Sequence, residues 1–468
     1  MRVRADLRLG RHEDALNELH RAEPLLTGYE ESLTARMLSG VAHLRAGEIG
    51  RGLDILNDAQ RDAANAHLTI RSEIALNRAL VYFIRRDLET AERLLLDVDA
   101  SSDIVYAKAL EYHAWIASAR ADYAHAAECF LATLHFLDQC RHYDRFLESN
   151  CLQALATLAV ERLEPETWRI VARRREAIDW SASDLGRHRF WITLCAATYA
   201  YEVEGSPVDA IREGRLAKRI APTRAARVEA LCRLAATSGR AKESLGQLYH
   251  TEEAYDLFAT LDASTFEDYD KLVPLVLAKE LALSGRPEQA HKVYKIYKQH
   301  SVTSPLLAVT GDPRRYAFER LVEGNMAESG NEKVPAQRAY LDAFATFRRI
   351  DYKRRAVHAA LRLGWVLNDS NLFQYADETT RHLPAQSWLR RQVERLPTDL
   401  VLRSLKPTQR DVLELLCTGM TTKEIAEMRG RHIGTIKNTV TGVFRAFHVR
   451  NRIELLNELL RRGILKSA

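Results

Sequence analysis

Three observations predict an all-α chain. Apolar residues recur at helical spacing through residues 1–396, in segments rich in Ala, Leu, Arg and Glu that are separated by short breaks. Strand-like alternation is almost absent from the same region. The remaining stretch, residues 405–468, reads as four short helices with a helix-turn-helix at their centre. The predicted architecture is therefore a helical solenoid over 1–396, a linker at 397–404 and a small four-helix domain over 405–468.

The solenoid is inferred from a repeat. Gly10, Ala15, Leu19 and Ala22 are spaced by five, four and three residues, and the same offsets return at Gly47, Gly52, Leu56 and Ala59. They return again at Gly205, Ala210, Gly214 and Ala217, followed by Pro222. Weaker copies centre on Ala91 with Leu95, Ala126 with Phe130, and Ala290 with Tyr294. A small residue at a helix crossing lets two backbones approach, and a larger residue one turn on fills the groove beside it. Each helix pair then buries its apolar face only against its neighbours, which yields a stack with a concave side. On these residues the body resembles tetratricopeptide-type repeats, best at 38–62 and 194–222, with a degenerate pattern at 145–185 and 300–340.

Composition bounds the rest. A 468-residue chain that is 46% hydrophobic can bury more than one core. Cys129, Cys140, Cys151, Cys195, Cys232 and Cys417 form no C-x-x-C pair, the pattern of reduced thiols in a cytoplasmic protein and not of a disulfide framework or zinc site. The start, MRVRADLRLG, has no apolar signal core, and no apolar run approaches a membrane span. Neither G-x-x-x-x-G-K-[ST], H-E-x-x-H nor G-x-S-x-G occurs, and the 16 histidines lie singly. We expect no enzyme activity, no cofactor, no metal and no membrane partner. The aromatics Tyr249, Tyr255, Phe258, Phe266, Tyr269, Tyr294 and Tyr297 are read as interhelical core or the lining of an effector groove, and Arg173 to Arg175 as a solvated helix face or a dock for an acidic partner.

A helix carrying Trp388, Leu389 and Val393 is expected to stop before Pro397, since proline disfavours the helical conformation of its predecessor. The first helix of the tail starts at Pro407, where a missing N–H costs nothing, and runs to about Cys417 with Val412, Leu413 and Leu416 as its apolar stripe. Gly419 supplies a left-handed stop. Thr421 and Glu424 form a capping box for a second helix, Thr422 to Met428. After the turn Arg429-Gly430-Arg431-His432, the third helix presents Ile436, Val440, Val443 and Phe447 inward. Lys437, Thr441 and Arg445 lie opposite with Asn438 beside them, the division a major-groove reader needs, although the helix pattern alone equally fits an ordinary amphipathic helix with a solvated polar face. A fourth helix starts at the capping box Asn451 to Glu454.

From Leu405 to Leu465 the order K-E-I-A (Lys423 to Ala426), Gly430, T-I-K-N (Thr435 to Asn438) and V-x-N-R (Val449 to Arg452) resembles the LuxR-type, or FixJ- or GerE-type, helix-turn-helix domain. The resemblance implies that Lys437, Asn438 and Thr441 face bases, that Thr435 and Lys423 lie near phosphates, and that the fourth helix dimerises. We place that dimer stripe on Leu455 and Leu459, with Ile453, Leu456 and Leu460 facing the core. Lys406 and His432 stand where Ser or Thr caps are usual, a loss of about 1 kcal/mol each. Gly434, Arg431 and Thr439 also depart from the pattern. A helical-repeat body joined to such a tail is similar to the MalT-like group, without that group's nucleotide-binding module.

Charge agrees with this reading. Residues 403–468 hold 13 Lys or Arg and 6 Asp or Glu, a surplus of 7, whereas the whole chain has 68 against 63. The body is thus slightly acidic and the tail basic, the footprint of one small domain neutralising phosphates. The expected function is a cytoplasmic DNA-binding transcriptional regulator acting on double-stranded DNA as a homodimer, with a small-molecule or protein effector on the repeats. The alternative is a protein-interaction scaffold with a vestigial DNA-binding module.

Overall fold

The computed structural model describes residues 2–8, 11–101, 103–141, 143–182, 185–240, 244–266, 270–300, 312–367, 369–394, 402, 405–447 and 449–461. All regular structure among them is helical, as the sequence predicts. The chain divides into two compact units, Met1–Asn368 and Asp369–Ala468, so the division falls ahead of the boundary expected at 396. The expected linker lies outside the described residues except for Leu402, as do Gly10 and Tyr269.

In the first unit successive helices pack as pairs. They are α1 (Arg2–Arg8) with α2 (His12–Ala22), α3 (Tyr29–Arg45) with α4 (Ile49–Asp62), and α5 (Leu68–Ile84) with α6 (Leu88–Leu95). Next come α7 (Asp103–Ala119) with α8 (Tyr123–Leu137), α9 (Arg145–Arg162) with α10 (Pro165–Ala177), and α11 (Gly186–Tyr199) with α12 (Pro207–Ile220). The series ends with α13 (Arg224–Arg240) and α14 (Ser244–Ala259), α15 (Val273–Leu283) and α16 (Pro287–His300), α17 (Pro313–Ser329) and α18 (Lys333–Arg349), and then α19 (Lys353–Leu367).

The repeat offsets mark helix crossings. Ala15, Leu56, Ala59, Ala91, Ala126, Phe130, Ala210, Ala217 and Ala290 are fully buried. At the α3–α4 crossing a Cβ on Gly52 would stand 2.8 Å from the Gly40 carbonyl oxygen, so only glycine allows that approach. Gly47 turns the chain between the two helices at φ +87°, a left-handed value that other residues resist. The degenerate stretches also form pairs. The α17–α18 crossing is that of α3–α4: Gly324 on the first helix meets the Tyr340 ring on the second as Gly40 meets Leu56. The offsets of five, four and three return there at Asn331, Ala336, Tyr340 and Ala343, and the repeat was hidden because Asn331, at φ +61°, makes the turn that Gly47 makes in the clear copy.

Far-separated repeats are joined by a buried ionic lock. Arg354, on the first turn of α19, donates to Glu161 of α9 at 2.7 Å and to Glu202 at 3.0 Å. Arg355 donates to the same Glu161 at 2.8 Å, and His358 lies 2.8 Å from Glu202. Glu202 sits on a single π turn, Ala200–Glu204, that extends α11 before Gly205 reverses the chain. The side chains of Arg354, Glu161 and Glu202 are 6%, 6% and 1% exposed. Nearby, Tyr123 packs on Tyr352, and Arg314 covers the Tyr123 ring. These contacts draw α17 and α19 onto α8, α9 and α11 within the first unit.

Other features read as surface or groove are interhelical. Arg174 pairs with Asp138 and Glu148, and Arg175 with Glu213, so these two arginines tie helices together, while Arg173 remains on the surface as read. Phe258 and Tyr297 are buried, while Tyr249 is exposed.

Removing one member of a buried ion cluster strands its partners, at about 3–5 kcal/mol. Arg354→Ala should lower the unfolding free energy of the full chain by that amount in urea titration; a loss under about 1 kcal/mol would contradict the lock. Burial alone would raise the Glu161 carboxyl, but Arg354 and Arg355 outweigh it and hold the group at about 2. A depressed acid stabilises the fold above its unfolded value of about 4.3 and loses that contribution as pH falls toward about 2. Wild type should therefore lose stability over that window more steeply than Glu161→Gln.

Candidate nucleic-acid interface

In the second unit, α20 (Ser370–Thr380) precedes four helices, α21 (Pro407–Cys417), α22 (Thr422–Met428), α23 (Ile433–Ala446) and α24 (Arg452–Arg461), the first two with the bounds read from the sequence and the last starting at the expected cap. Their start and stop signals operate as expected. Thr421 and Glu424 exchange backbone hydrogen bonds at 2.6 and 3.3 Å, and Asn451 with Glu454 caps α24. Gly419, at φ +96°, follows α21.

The third of these helices, α23, is held by its reverse face. Ile436, Val440, Val443 and Phe447 are 4%, 8%, 0% and 2% exposed and join Val412, Leu413, Leu416 and Ile425 in one core. Burying each such side chain contributes roughly 1.5–3 kcal/mol, so the rotation of α23 is strongly set. Gly442 faces α21, where a side chain would collide with the Gln409 amide.

The opposite face is open. Lys437, Asn438, Thr441 and Arg445 are all exposed, as are Thr435 and Lys423. The six residues expected to meet DNA are thus brought to solvent in the same small unit, with five on α23 and Lys423 on α22. Among the described residues no carboxylate pairs with Lys437 or Arg445, whereas Lys423 lies 3.9 Å from Glu427. The Thr441 hydroxyl donates to the Lys437 carbonyl at 2.9 Å. Its proton is occupied, and it offers an incoming group its lone pairs and methyl.

Three expectations need correction. Leu455 and Leu459, read as a dimer stripe, are both 0% exposed within this core, so they cannot meet a second chain without unfolding their own. Ile453 and Leu460, read as core-facing, are 72% and 43% exposed, and Leu456 is intermediate. The phase of α24 is set by Arg452, whose guanidinium donates to the Leu416 carbonyl at 2.7 Å and the Met420 carbonyl at 2.8 Å. That side chain turns inward and carries positions 455 and 459 with it. Sequence reasoning noted Arg452 as a motif position but missed its role as a clasp on the end of α21.

Nor is α23 uncapped. The His432 imidazole Nδ1 accepts from Gly434 N–H at 3.2 Å and replaces the usual hydroxyl. The second departure explains the first, because a Cβ on residue 434 would press within 3.2 Å of that ring nitrogen. At Lys406 the half-cap comes from Gln409, whose carbonyl accepts the Lys406 N–H at 2.8 Å. The paired substitution leads to a coupling prediction. Gly434→Ala should stabilise a His432→Ser background by up to about 1 kcal/mol and the His432 background by distinctly less. Equal gains in a double-mutant cycle of unfolding free energies would contradict the paired cap.

No protein-family model matches the chain. It is similar to the transcriptional regulatory protein DesR of Bacillus subtilis, at 30% identity over 123 residues, 26% of this chain and 60% of that protein. The match thus spans less than two thirds of that relative. Among solved structures, the chain aligns with one from the crystal structure of the APC/C hetero-tetramer Cut9-Hcn1, covering 84% of this chain and 91% of that one at 11% identity. The TM-score is 0.30, too low to carry an argument.

Proposed function

We propose that this protein is a transcriptional regulator that binds double-stranded DNA through a LuxR-type helix-turn-helix formed by α21 to α24. The observation that carries the proposal is the two-sided character of α23: a fully packed apolar stripe behind a continuous, unoccluded row of Lys437, Thr441 and Arg445 with Asn438 beside it. Similarity to a transcriptional regulatory protein supports it. In this reading α23 lies in the major groove. Lys437 and Asn438 hydrogen-bond base edges, Thr441 offers its methyl and lone pairs, and Thr435, Lys423 and Arg445 contact the backbone.

The fitting assembly is a cytoplasmic homodimer on a roughly two-fold site. Its stripe moves from Leu455 and Leu459 to the exposed Ile453 and Leu460, seven residues apart on one side of α24, with Leu456 between them. The repeats of the first unit carry the effector surface.

Binding of the full chain to DNA fragments recovered by genome-wide mapping tests the proposal. Lys437→Ala should weaken specific binding by about 1–3 kcal/mol and relax discrimination at one base position. Lys423→Ala should weaken binding to all sequences similarly and reduce the slope of log affinity against log salt by about 1. An affinity insensitive to salt, or only sequence-indifferent binding, would refute the proposal and favour a scaffold role for the chain.

A further inference from the structure

Helix α6 is shorter than its counterparts. It has 8 residues, against 14 in α4 and 15 in α8, so it covers about 12 Å where they cover more than 20 Å. The shortfall leaves one side of α7 incompletely roofed. Tyr106, Ala109, Leu110 and His113, spaced as one helical face, line a groove of about 380 Å³ there. That volume falls in the range of about 300–1,000 Å³ typical of small-molecule sites.

The groove has an apolar floor and an anionic mouth. Leu95 and Ala109 form the buried floor, and Tyr106 is fixed edge-on against Phe136. Leu96 and Leu68, 76% and 39% exposed, extend the apolar surface outward instead of turning into the core. Asp97 and Asp99 stand at the mouth, and no lysine or arginine lines the groove. Among the described residues neither aspartate has an ion-pair partner. The hydroxyl and backbone N–H of Ser101 hold the Asp99 carboxyl below its ordinary value, so it is charged at neutral pH. Burial lowers the His113 imidazole, which contributes no positive charge there.

We propose that this groove binds a small amphipathic monocation, with an alkyl or aromatic body against Leu95, Leu110 and Tyr106 and a primary ammonium between Asp97 and Asp99. A carboxylate or phosphate ligand meets two uncompensated negative charges in the same position. The site is independent of the DNA-binding reading; only its use as an effector site rests on that reading.

Monodansylcadaverine, a fluorescent primary amine, tests this on the full chain without DNA. The expected result is saturable one-to-one binding with a blue-shifted emission. Octylamine should displace the probe, with butylamine weaker by well over tenfold, because each buried methylene changes affinity roughly fourfold. Octanoate should not compete. The variants Asp97→Asn/Asp99→Asn and Leu96→Asn alter exposed or half-exposed positions and should retain the wild-type helical circular dichroism; the first should weaken binding at least tenfold and the second severalfold. Absence of saturable binding, equal competition by octanoate, or full affinity in the double aspartate variant would each overturn the proposal.

Discussion

The second unit depends on one packing interaction: the seating of Ile436, Val440, Val443 and Phe447 in the core built by α21, α22 and α24. A fourteen-residue helix would be marginal alone, and its polar residues would point nowhere in particular. Fixing four apolar side chains on one side aims Lys437, Asn438, Thr441 and Arg445 to the other at little further cost. The cations on that face need no local partner, because their charge is solvated. The exposed basic face is thus a by-product of the core.

The first unit solves a different problem. Stacked helix pairs bury their apolar faces only against neighbours, so contacts between remote repeats must come from elsewhere. Here they come from charges and from the Tyr123–Tyr352 contact: Arg354 reaches Glu161 and Glu202 across more than 150 residues of sequence. Desolvating three charges is costly, and the cluster fixes geometry more than it adds net stability. The shortened α6 belongs to the same unit and shows how local helix length, not a change of fold, opens a cavity in a regular array.

Much of this organisation was legible in the chain because it rests on short-range rules. Caps at Thr421 and Asn451, the stop at Gly419 and the four-three-four spacing on α23 each need only a few residues, and all appear where expected. What escaped were choices made by distant contacts. Residues 453–460 of α24 carry two apolar stripes about 100° apart, and local pattern cannot choose between them; Arg452, clasping carbonyls more than thirty residues earlier, makes the choice. The α17–α18 repeat escaped for a local reason, because Asn331 takes the left-handed turn that Gly47 makes elsewhere. Arg354 looks like any surface arginine until α9 and α11 close over it. At His432 a residue that seemed to have lost a cap proved to be one, with Gly434 giving the ring its room.

The most direct test of the central claim is site-specific photocrosslinking of the full chain on bound duplex DNA, with the photoreactive side chain placed in turn at Thr441 and at Ile453. The account predicts crosslinks from position 441 to bases through the major groove and none to bases from position 453. Base crosslinks from 453 with none from 441 would contradict it.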